Sequence, residues 1–447
     1  MGLNVGMISL GCDKNRVDAE IMLSKLSKKG YRIVNNERDA DIIIVNTCGF
    51  IESAKMESIE TILEMSQHKG TGRCKCVIAT GCMAERYKEE LIKEIPEIDA
   101  VVGTGSYREI CDIIDNVLSG KKGIVKADDI NFDLDFEERI ISTPQHYAYV
   151  KIAEGCNNNC SYCIIPKLRG SFRSRKIESI VQEVKILAEK GVKEIILVAQ
   201  DTTMYGVDIY RKKMLSELVK RVEEVEGIEW IRIMYTYPEE ITDELIEIIK
   251  MSKKVCHYFD IPLQHVSDKI LKKMKRKSRK EKIINLIEKI RREIPDAVIR
   301  TSIIVGFPGE TEEDFNELKN FLQEYKLDRV GIFTYSAEED TEAAEMEDQI
   351  SEEIKQKRRE VLMKLQSTIS LNKNRDLTNN VLNVIIDGMN NEGQYYGRTY
   401  GDAPEIDQEV YINNNINELK KGDIVRVKIT KAYTYDLIGE IQNEPCK

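Results

Sequence analysis

Short hydrophobic runs alternate with amphipathic stretches along the first part of the chain. Three of these runs, VGMISLGC, DIIIVNTC and CVIATGC, each end in a turn residue followed by a cysteine. After each cysteine, apolar positions recur with helical spacing. Strands that alternate with helices predict a parallel sheet. We therefore expect an open parallel α/β sheet domain over residues 1–130.

The central part of the chain repeats this pattern in six strand–helix units. The run YAYVKIAEG alternates like a strand, and KIESIVQEVKILAEKG has a helical period that Gly191 should end. Five more strand-like runs follow: EIILVAQD, WIRIMYTY, YFDIPLQ, VIRTSIIVGF and RVGIFTYS. Six such units predict a partly closed parallel (βα)6 barrel, which we place at residues 140–372.

The last part of the chain has the pattern of a small β domain. An acidic stretch becomes a long polar helix, and the runs VLNVIIDG, YYGRTYGDAPEIDQEVYI and DIVRVKITKAYTYDLIGEI then alternate like short strands. Short strands separated by glycine-rich turns predict an all-β barrel, here over residues 375–447. Another acidic, irregular segment, KADDINFDLDFEERIISTPQ, links the first two domains.

The composition of the chain indicates its compartment and the role of its cysteines. The chain has 447 residues, and no apolar run approaches the roughly 20 residues that span a membrane. Its start lacks the pattern of a signal peptide, so we expect a cytoplasmic protein without membrane attachment. In that compartment, eleven cysteines predict metal ligands or reactive thiols rather than disulfides. A net charge of −10 argues against binding nucleic acid by bulk electrostatics.

Three cysteines lie within the eight residues CNNNCSYC, at Cys156, Cys160 and Cys163. A structural zinc site needs four ligands, and the next cysteine, Cys256, is far along the chain. Three thiolates suit a four-iron cluster whose fourth iron stays open for a substrate. The alternative that the residues leave open is a zinc loop or three unrelated thiols.

A second trio consists of Cys12, Cys48 and Cys82, at intervals of 36 and 34 residues. Because parallel strands end at one edge of a sheet, the three thiols should converge there and hold a second cluster. The alternative is three core cysteines. Cys74 and Cys76 precede their strand, so we interpret them as spare thiols. Three further cysteines are interpreted as isolated: Cys111, Cys256 and Cys446.

The loop CNNNCSYC resembles the motif of the radical S-adenosylmethionine superfamily, C-x-x-x-C-x-aromatic-C. The resemblance implies that the open iron binds S-adenosylmethionine and that an electron from the cluster splits it into a deoxyadenosyl radical. It does not fix the other contacts to this cofactor. From their positions beside the cluster or at strand ends, we predict Tyr162, Gln200 and Gly306 as contacts. No catalytic side chain can be identified from the sequence.

The two cysteine trios together resemble the methylthiotransferase family over nearly the whole chain. The resemblance implies an auxiliary 4Fe-4S cluster on Cys12, Cys48 and Cys82, a radical-generating 4Fe-4S cluster on the second trio, and a C-terminal TRAM barrel. One S-adenosylmethionine would supply a methyl group and another the radical that abstracts hydrogen from an unactivated carbon. An external electron donor such as flavodoxin or ferredoxin is then required. We expect a monomer.

Members of this family modify either a tRNA adenosine or an aspartate of ribosomal protein uS12. The segments VAQDTTMYG, CIIPKLRG and YFDIPLQHVSDKILKKMKR resemble the ribosomal-protein branch. The segment from Leu377 to Lys447 contains seven Lys and Arg residues and eleven Asp and Glu residues, a net charge of −4. This charge favours a basic protein over tRNA as the substrate. We therefore predict methylthiolation of the aspartate β-carbon of uS12, either free or on the small ribosomal subunit. The tRNA adenosine remains the alternative, and a non-catalytic iron–sulfur protein that binds ribosomes is the alternative from another class.

Two basic stretches and two strand ends carry further predictions. The stretch Lys272–Lys282 is interpreted as a solvated helix face, and contact with RNA is the alternative. One arginine of LRGSFRSRK is expected to meet a substrate carboxylate; the candidates are Arg169, Arg173 and Arg175. His265 is interpreted as orienting Gln264 rather than as a proton carrier. In GETEED, Thr311 and Asp314 have the spacing of a capping box and predict the start of a helix.

Overall fold

Strands and helices alternate along the computed structural model, which describes residues 2–127, 130–132, 134–413 and 419–442. The strands are β1 (Asn4–Ser9), β2 (Arg32–Ile33), β3 (Ile42–Thr47), β4 (Cys76–Gly81), β5 (Ala100–Val102), β6 (Ile124–Lys126), β7 (Tyr147–Lys151), β8 (Ala153–Glu154), β9 (Arg173–Ser174), β10 (Glu194–Val198), β11 (Trp230–Ile233), β12 (Tyr258–Asp260), β13 (Val298–Val305), β14 (Arg329–Thr334), β15 (Val381–Met389), β16 (Tyr395–Thr399), β17 (Glu409–Asn413), β18 (Ile424–Ala432) and β19 (Asp436–Ile441). The α-helices are α1 (Asp13–Lys28), α2 (Glu52–Ser66), α3 (His68–Thr71), α4 (Cys82–Glu94), α5 (Ile110–Leu118), α6 (Ile165–Arg169), α7 (Ile177–Glu189), α8 (Val207–Tyr210), α9 (Leu215–Glu223), α10 (Asp243–Met251), α11 (Asp268–Lys273), α12 (Lys280–Glu293), α13 (Glu312–Tyr325) and α14 (Glu352–Asp376). Short 3-10 helices cover Glu37–Asp39, Tyr107–Glu109, Thr202–Met204, Pro238–Glu240 and Glu342–Glu345.

None of the helices in the described part of the chain combines the length and the apolar character that crossing a bilayer requires. Cys446, interpreted above as isolated, lies outside the described residues.

The first sheet consists of parallel strands in the order β2-β1-β3-β4-β5-β6. Helices α1 and α5 cover one face, and α2 and α4 cover the other. Strands β3 and β4 lie at the centre and are buried along their whole length. Because strands covered on both faces need apolar side chains on both, DIIIVNTC and CVIATGC are continuous apolar runs. The predicted open parallel α/β sheet is confirmed.

The central region contains two three-stranded parallel sheets, β11-β10-β7 and β12-β13-β14. A parallel bridge between Ile231 and Val255 joins them. The outer face of these strands packs on α7, α9, α10, α12 and α13 in one hydrophobic core. Among the described strands, β7 and β14 are the two edges, so the six strands form a barrel that stays open on one side. This agrees with the predicted (βα)6 arrangement.

Helix α1 of the first domain packs on the inner face of this open barrel. Its residue Val17 shares a hydrophobic cluster with Tyr149 of β7. Arg139, from the acidic linker, is buried beside them, donates to Glu20 of α1 and donates to Glu183 of α7 at 2.7 Å. Arg139 also donates to the Tyr149 carbonyl at 2.5 Å, so it ties α1 of the first domain to both α7 and the edge strand β7 of the second.

The C-terminal strands form a closed barrel in the order β15-β16-β17-β19-β18, as predicted. The loop between β16 and β17 leaves this barrel and packs against the amino-terminal ends of the central strands. Arg398 of β16 pairs with Glu194 of β10 at 2.9 Å. Asp402 in the loop pairs with Arg329 of β14 at 2.8 Å and is fully buried. The loop thus closes the lower opening of the parallel barrel, which is the opening at the amino-terminal ends of its strands.

Part of the acidic charge counted in the C-terminal segment therefore faces inward, which corrects the charge argument made from the sequence. Asp387 pairs with Arg398, Asp402 pairs with Arg329 of β14, and Asp407 accepts a hydrogen bond from Tyr258 at 2.6 Å. Since these carboxylates are used within the molecule, the balance of −4 does not describe the surface that a partner would meet.

The interpretation of Lys272–Lys282 as one solvated helix face is wrong. Helix α11 ends at Lys273 and α12 begins at Lys280, with Lys275 in the left-handed region (φ 56°) between them. Arg276 is only 3% exposed. The chain has to reverse direction here, and that turn carries Arg276 inside.

Candidate functional site

The first cysteine trio lies at one edge of the first sheet. Cys48 directly follows β3, and Cys82 directly follows β4. Cys12 comes three residues after the end of β1. These strands are neighbours in the order β1-β3-β4, so their carboxyl ends stand side by side. Cys12 is the N-cap of α1, and Cys82 is the first residue of α4. The three cysteines therefore lie along one edge of the sheet, and their role as ligands of a shared cluster stays a prediction.

Glycines beside these cysteines allow the loops to approach each other closely. Gly11 has a positive φ of +85°, and a Cβ there would lie 3.2 Å from the Cys48 sulfur. A Cβ on Gly49 would lie 2.8 Å from the Met83 backbone nitrogen. A side chain at either position would push the cysteine-bearing loops apart.

Buried amides fix the same loops. The Asn15 side chain donates to the Thr47 carbonyl at 2.9 Å, and the Asn46 side chain donates to the Asn15 carbonyl at 2.8 Å. Burial raises the pKa of Cys48, and it raises the pKa of Cys82 to about 12. Because only a thiolate binds metal, loading these residues would release protons.

The second trio lies in the loop between β8 and α6. The backbone N–H of Asn158 donates to the Cys156 sulfur at 3.4 Å, and the Asn158 side chain donates to Asp201 at 2.8 Å. Burial raises the pKa of Cys156 to about 11 and of Cys163 to about 12. The loop is thus held to the end of β10 and already directs an N–H group at a sulfur.

Within the described ranges, no three His, Cys, Asp or Glu side chains are grouped as they would be around a single metal ion. The remaining cysteines lie in other places. Cys74 and Cys76 lie at the opposite end of β4 from Cys82 and are buried in the core. Cys256 is a buried core residue, and Cys111 is half-buried on α5.

The three predicted S-adenosylmethionine contacts have different surroundings. Tyr162 packs edge-on against Phe307, with ring centroids 6.4 Å apart. The Gln200 amide donates to Glu154 at 2.6 Å, while its buried oxygen has no partner among the described residues. A Cβ on Gly306 would lie 2.3 Å from Cγ of Lys355 in α14. The close approach at Gly306 is therefore to a helix of this chain.

Arg276 is a residue that the sequence interpretation missed. Its guanidinium carbon lies 4.2 Å from the centroid of the Tyr237 ring, next to the second cysteine trio. One nitrogen donates to the Pro262 carbonyl at 2.8 Å, while Nε and Nη1 are buried without a partner in the described part of the chain. Nothing in the basic stretch Lys272–Lys282 indicates that Arg276 is buried.

Two of the three candidate arginines are already paired inside the molecule. Arg169 pairs with Asp18 at 2.6 Å, and Arg175 pairs with Glu183 at 2.5 Å; both arginines are buried. Because their guanidinium groups neutralise internal carboxylates, neither is placed to receive a substrate carboxylate, which corrects that expectation. Arg173 is half-buried, and for it the expectation stays a prediction.

The interpretation of His265 as orienting Gln264 stays a prediction, whereas the capping box at Thr311 is confirmed. His265 is fully buried, and its Nδ1 accepts a hydrogen bond from the Ser267 backbone at 2.9 Å, which orders the turn after Gln264. Thr311 and Asp314 form the predicted capping box at the start of α13.

Three stretches of the chain match known families. Residues 4–103 match an uncharacterized protein family, UPF0004, residues 150–322 match the Radical SAM superfamily, and residues 380–441 match the TRAM domain. The fold and the cysteine loops thus define a radical S-adenosylmethionine protein with a TRAM barrel, a class that implies S-adenosylmethionine and iron–sulfur clusters as cofactors.

Relatives that match over nearly the whole chain define its family more narrowly. The chain is 52% identical to "Ribosomal protein uS12 methylthiotransferase RimO" of Clostridium botulinum, over 100% of this chain and 99% of the relative. It is 53% identical to the proteins of that name from Clostridium perfringens and Clostridioides difficile, over 99% of both chains in each case. The chain belongs to the RimO family of ribosomal protein uS12 methylthiotransferases.

Solved structures with the same fold are more distant. The radical S-adenosylmethionine methyltransferase TsrM from Kitasatospora setae, with tryptophan and aza-SAM bound, superposes with a TM-score of 0.56 at 13% identity, over 74% of this chain and 73% of that chain. The cobalamin-dependent radical enzyme OxsB gives a TM-score of 0.52 at 12% identity, over 82% of this chain and 58% of that chain. At these identities the likeness concerns the fold alone.

Proposed function

We propose that the chain adds a methylthio group to the β-carbon of an aspartate of ribosomal protein uS12. The observation that carries the proposal is the junction between the two cysteine trios. Cys82 packs against Ile164 and Leu168, which follow Cys163 directly and five residues later in the chain. A reaction that needs a sulfur source and a radical source at one carbon requires two centres held close together.

The proposed ligands follow from the two trios. One 4Fe-4S cluster is held by Cys12, Cys48 and Cys82, and the other by Cys156, Cys160 and Cys163. Tyr162, Gln200 and Gly306 are the proposed contacts to S-adenosylmethionine. When bound, these groups supply the sulfur, the methyl group and the hydrogen-abstracting radical that an unactivated carbon needs.

The chain's own residues would keep the site ordered and dry. Tyr162, Phe307 and Tyr335 form a row of edge-packed rings beside the second trio. Such a row excludes water, which protects a reactive species from side reactions. Asn158 holds the cysteine loop to Asp201, so the loop does not have to be ordered at the moment of binding.

Partners and location follow from the proposed substrate. The substrate uS12 would be met free or on the small ribosomal subunit, in the cytoplasm, and electrons would come from a flavodoxin or ferredoxin. We propose that the chain works as a monomer. We propose domain limits at 1–130, 140–372 and 375–447. The first boundary falls between β6, which ends at Lys126, and β7, which begins at Tyr147, and the second falls in the last turn of α14, which ends at Asp376.

A deletion strain tests the function. Mass spectrometry of uS12 should show the aspartate peptide lighter by one methylthio group, and the wild-type gene should restore the mass. The variant carrying Cys12→Ala, Cys48→Ala and Cys82→Ala should not restore it. Loss of a methylthio group from digested tRNA instead would establish the adenosine alternative.

An anaerobic assay separates the enzyme from the non-catalytic alternative. Reconstituted protein given dithionite and S-adenosylmethionine should form deoxyadenosine. If fully loaded protein forms none, and uS12 is unchanged in the deletion strain, the ribosome-binding iron–sulfur protein becomes the better description.

A further inference from the structure

Helix α6 (Ile165–Arg169) lies between the two cysteine trios. It begins two residues after Cys163, and Leu168 packs with Cys82 of the first domain. The Thr104 hydroxyl, also in the first domain, donates to the Leu168 carbonyl at 2.6 Å. A helix that belongs to the radical region therefore has part of its packing in the first domain.

The last residue of this helix, Arg169, contacts a cysteine of the other trio. Its Nη2 donates to the Cys82 sulfur at 3.4 Å and to the Asn15 side-chain oxygen. The Asn15 amide in turn donates to the Thr47 carbonyl, next to Cys48. The guanidinium is 3% exposed, so water does not compete for these contacts. Arg169 thus touches one thiol and orders the loop that carries another.

On its other side Arg169 joins a buried group of charges. Nη1 donates to Asp18 at 2.6 Å and to Glu154 at 3.2 Å. Glu154 also accepts from Lys151 at 2.6 Å and from the Gln200 amide at 2.6 Å. Two cations and two carboxylates are balanced here. A continuous line of hydrogen bonds then runs from Cys82 through Arg169 and Glu154 to Gln200.

We propose that Arg169 is a positioning residue that raises the reduction potential of the auxiliary cluster. A cationic N–H donor stabilises a ligand thiolate most in the reduced state, which carries the larger negative charge. Because the donor comes from the radical domain, the auxiliary site is complete only when the two domains are docked. The inference rests on the proposed function for the identity of the cluster, but it concerns a residue of the chain rather than the substrate.

The test uses the full-length chain with Cys156→Ala, Cys160→Ala and Cys163→Ala, so that the auxiliary cluster is the only one that can bind. Its midpoint potential is measured by EPR-monitored redox titration in this background. Adding Arg169→Gln should shift the midpoint to a more negative value. Arg169→Lys should shift it in the same direction by less, since lysine keeps the charge but loses the planar fork.

Arg175→Lys is the matched control. Arg175 is as buried as Arg169 and is paired with Glu183, and none of its described hydrogen bonds involves a cysteine. Its variant should keep the midpoint of the parent. An equal shift in this control would mean a general folding effect and would overturn the proposal.

Unchanged midpoints in both Arg169 variants would also overturn it. If Arg169→Gln binds no cluster, Arg169→Lys decides the question in the same way. The measurement involves neither uS12 nor cleavage of S-adenosylmethionine. The midpoint potential can therefore be interpreted even if the methylthiolation assay fails, and an unchanged potential does not contradict the proposed function.

Discussion

At the scale of single residues, His265 shows how the barrel treats a polar side chain at a strand end. The imidazole is fully buried, and burial lowers its pKa to about 3. Nδ1 accepts from the Ser267 backbone, so the neutral ring carries its proton on Nε2. At neutral pH the ring is therefore neutral, and its hydrogen bond with Ser267 orders the turn.

This burial predicts a pH dependence. In the unfolded chain the ring takes up a proton near pH 6.5, whereas in the folded chain it does so only near 3, so stability falls as the pH drops through that window. At pH 5 the penalty is about 2 kcal/mol. In His265→Gln, the loss of unfolding free energy between pH 7.5 and pH 5 should be smaller by about this amount, as measured by urea unfolding. The same loss in variant and wild type would contradict this assignment.

At the scale of elements, the loop after β14 is attached to the first domain. Glu338 in this loop is 2% exposed. It pairs with Arg86 of α4 at 3.0 Å and with Lys55 of α2 at 3.2 Å, and it accepts from the Glu52 backbone at the start of α2. The first domain is therefore fixed at both edges of the open barrel, near β7 through Arg139 and near β14 through Glu338.

Neutralising this carboxylate should loosen the second attachment. Glu338→Gln removes a buried charge partner of Arg86 and Lys55, whose other carboxylate partners, Glu339 and Glu52, are exposed, and it should cost about 3 kcal/mol of stability. The neighbouring Glu339 has a side chain that is 71% exposed, so Glu339→Gln should cost no more than about 0.5 kcal/mol. Urea unfolding and limited proteolysis of the 335–342 loop would compare the two. Equal stability of both variants would show that Glu338 does not hold the domains together.

At the scale of the whole molecule, three regions share one interior. Helix α1 packs on the inner face of the parallel barrel, and the loop between β16 and β17 closes the lower end of the barrel. Glu405 in that loop pairs with Arg16 of α1 and accepts from Tyr147 of β7. The loop of the C-terminal barrel is thus a structural part of the radical domain.

Asp402 tests this role of the loop. It is fully buried against Arg329, so Asp402→Asn should destabilise the chain by about 3 kcal/mol and increase hydrogen exchange in β14. Asp423→Asn removes an exposed charge from a turn of the same barrel and should change neither quantity. Unchanged exchange in β14 after Asp402→Asn would show that the loop only rests against the barrel.

Local patterns in the sequence predicted the strands and helices and the position of the first three cysteines at strand ends. Cys12, Cys48 and Cys82 follow strands whose period and flanking turn are visible within about ten residues, and parallel strands have only one carboxyl edge. The stop at Gly191 and the capping box at Thr311 are equally local, and both are present in the structure.

The contacts between distant segments could not be predicted in this way. Nothing near Arg169 indicates that it meets Cys82, which is 87 residues away. Arg276 looks like any other member of a basic run, and Asp402 looks like a loop residue of an acidic domain. Burial of these charges depends on which faces dock, and a one-dimensional pattern does not contain that information.

We propose that six thiolates form two trios, each of which holds one cluster. The most direct measurement is iron and sulfide analysis, with Mössbauer spectra, of two triple variants of the full chain. These are Cys12→Ala/Cys48→Ala/Cys82→Ala and Cys156→Ala/Cys160→Ala/Cys163→Ala. Each should keep about half of the wild-type iron and sulfide, and a Cys74→Ala/Cys76→Ala control should keep all of it. If either triple variant loses all of its iron, or loses none, the two-trio arrangement is contradicted.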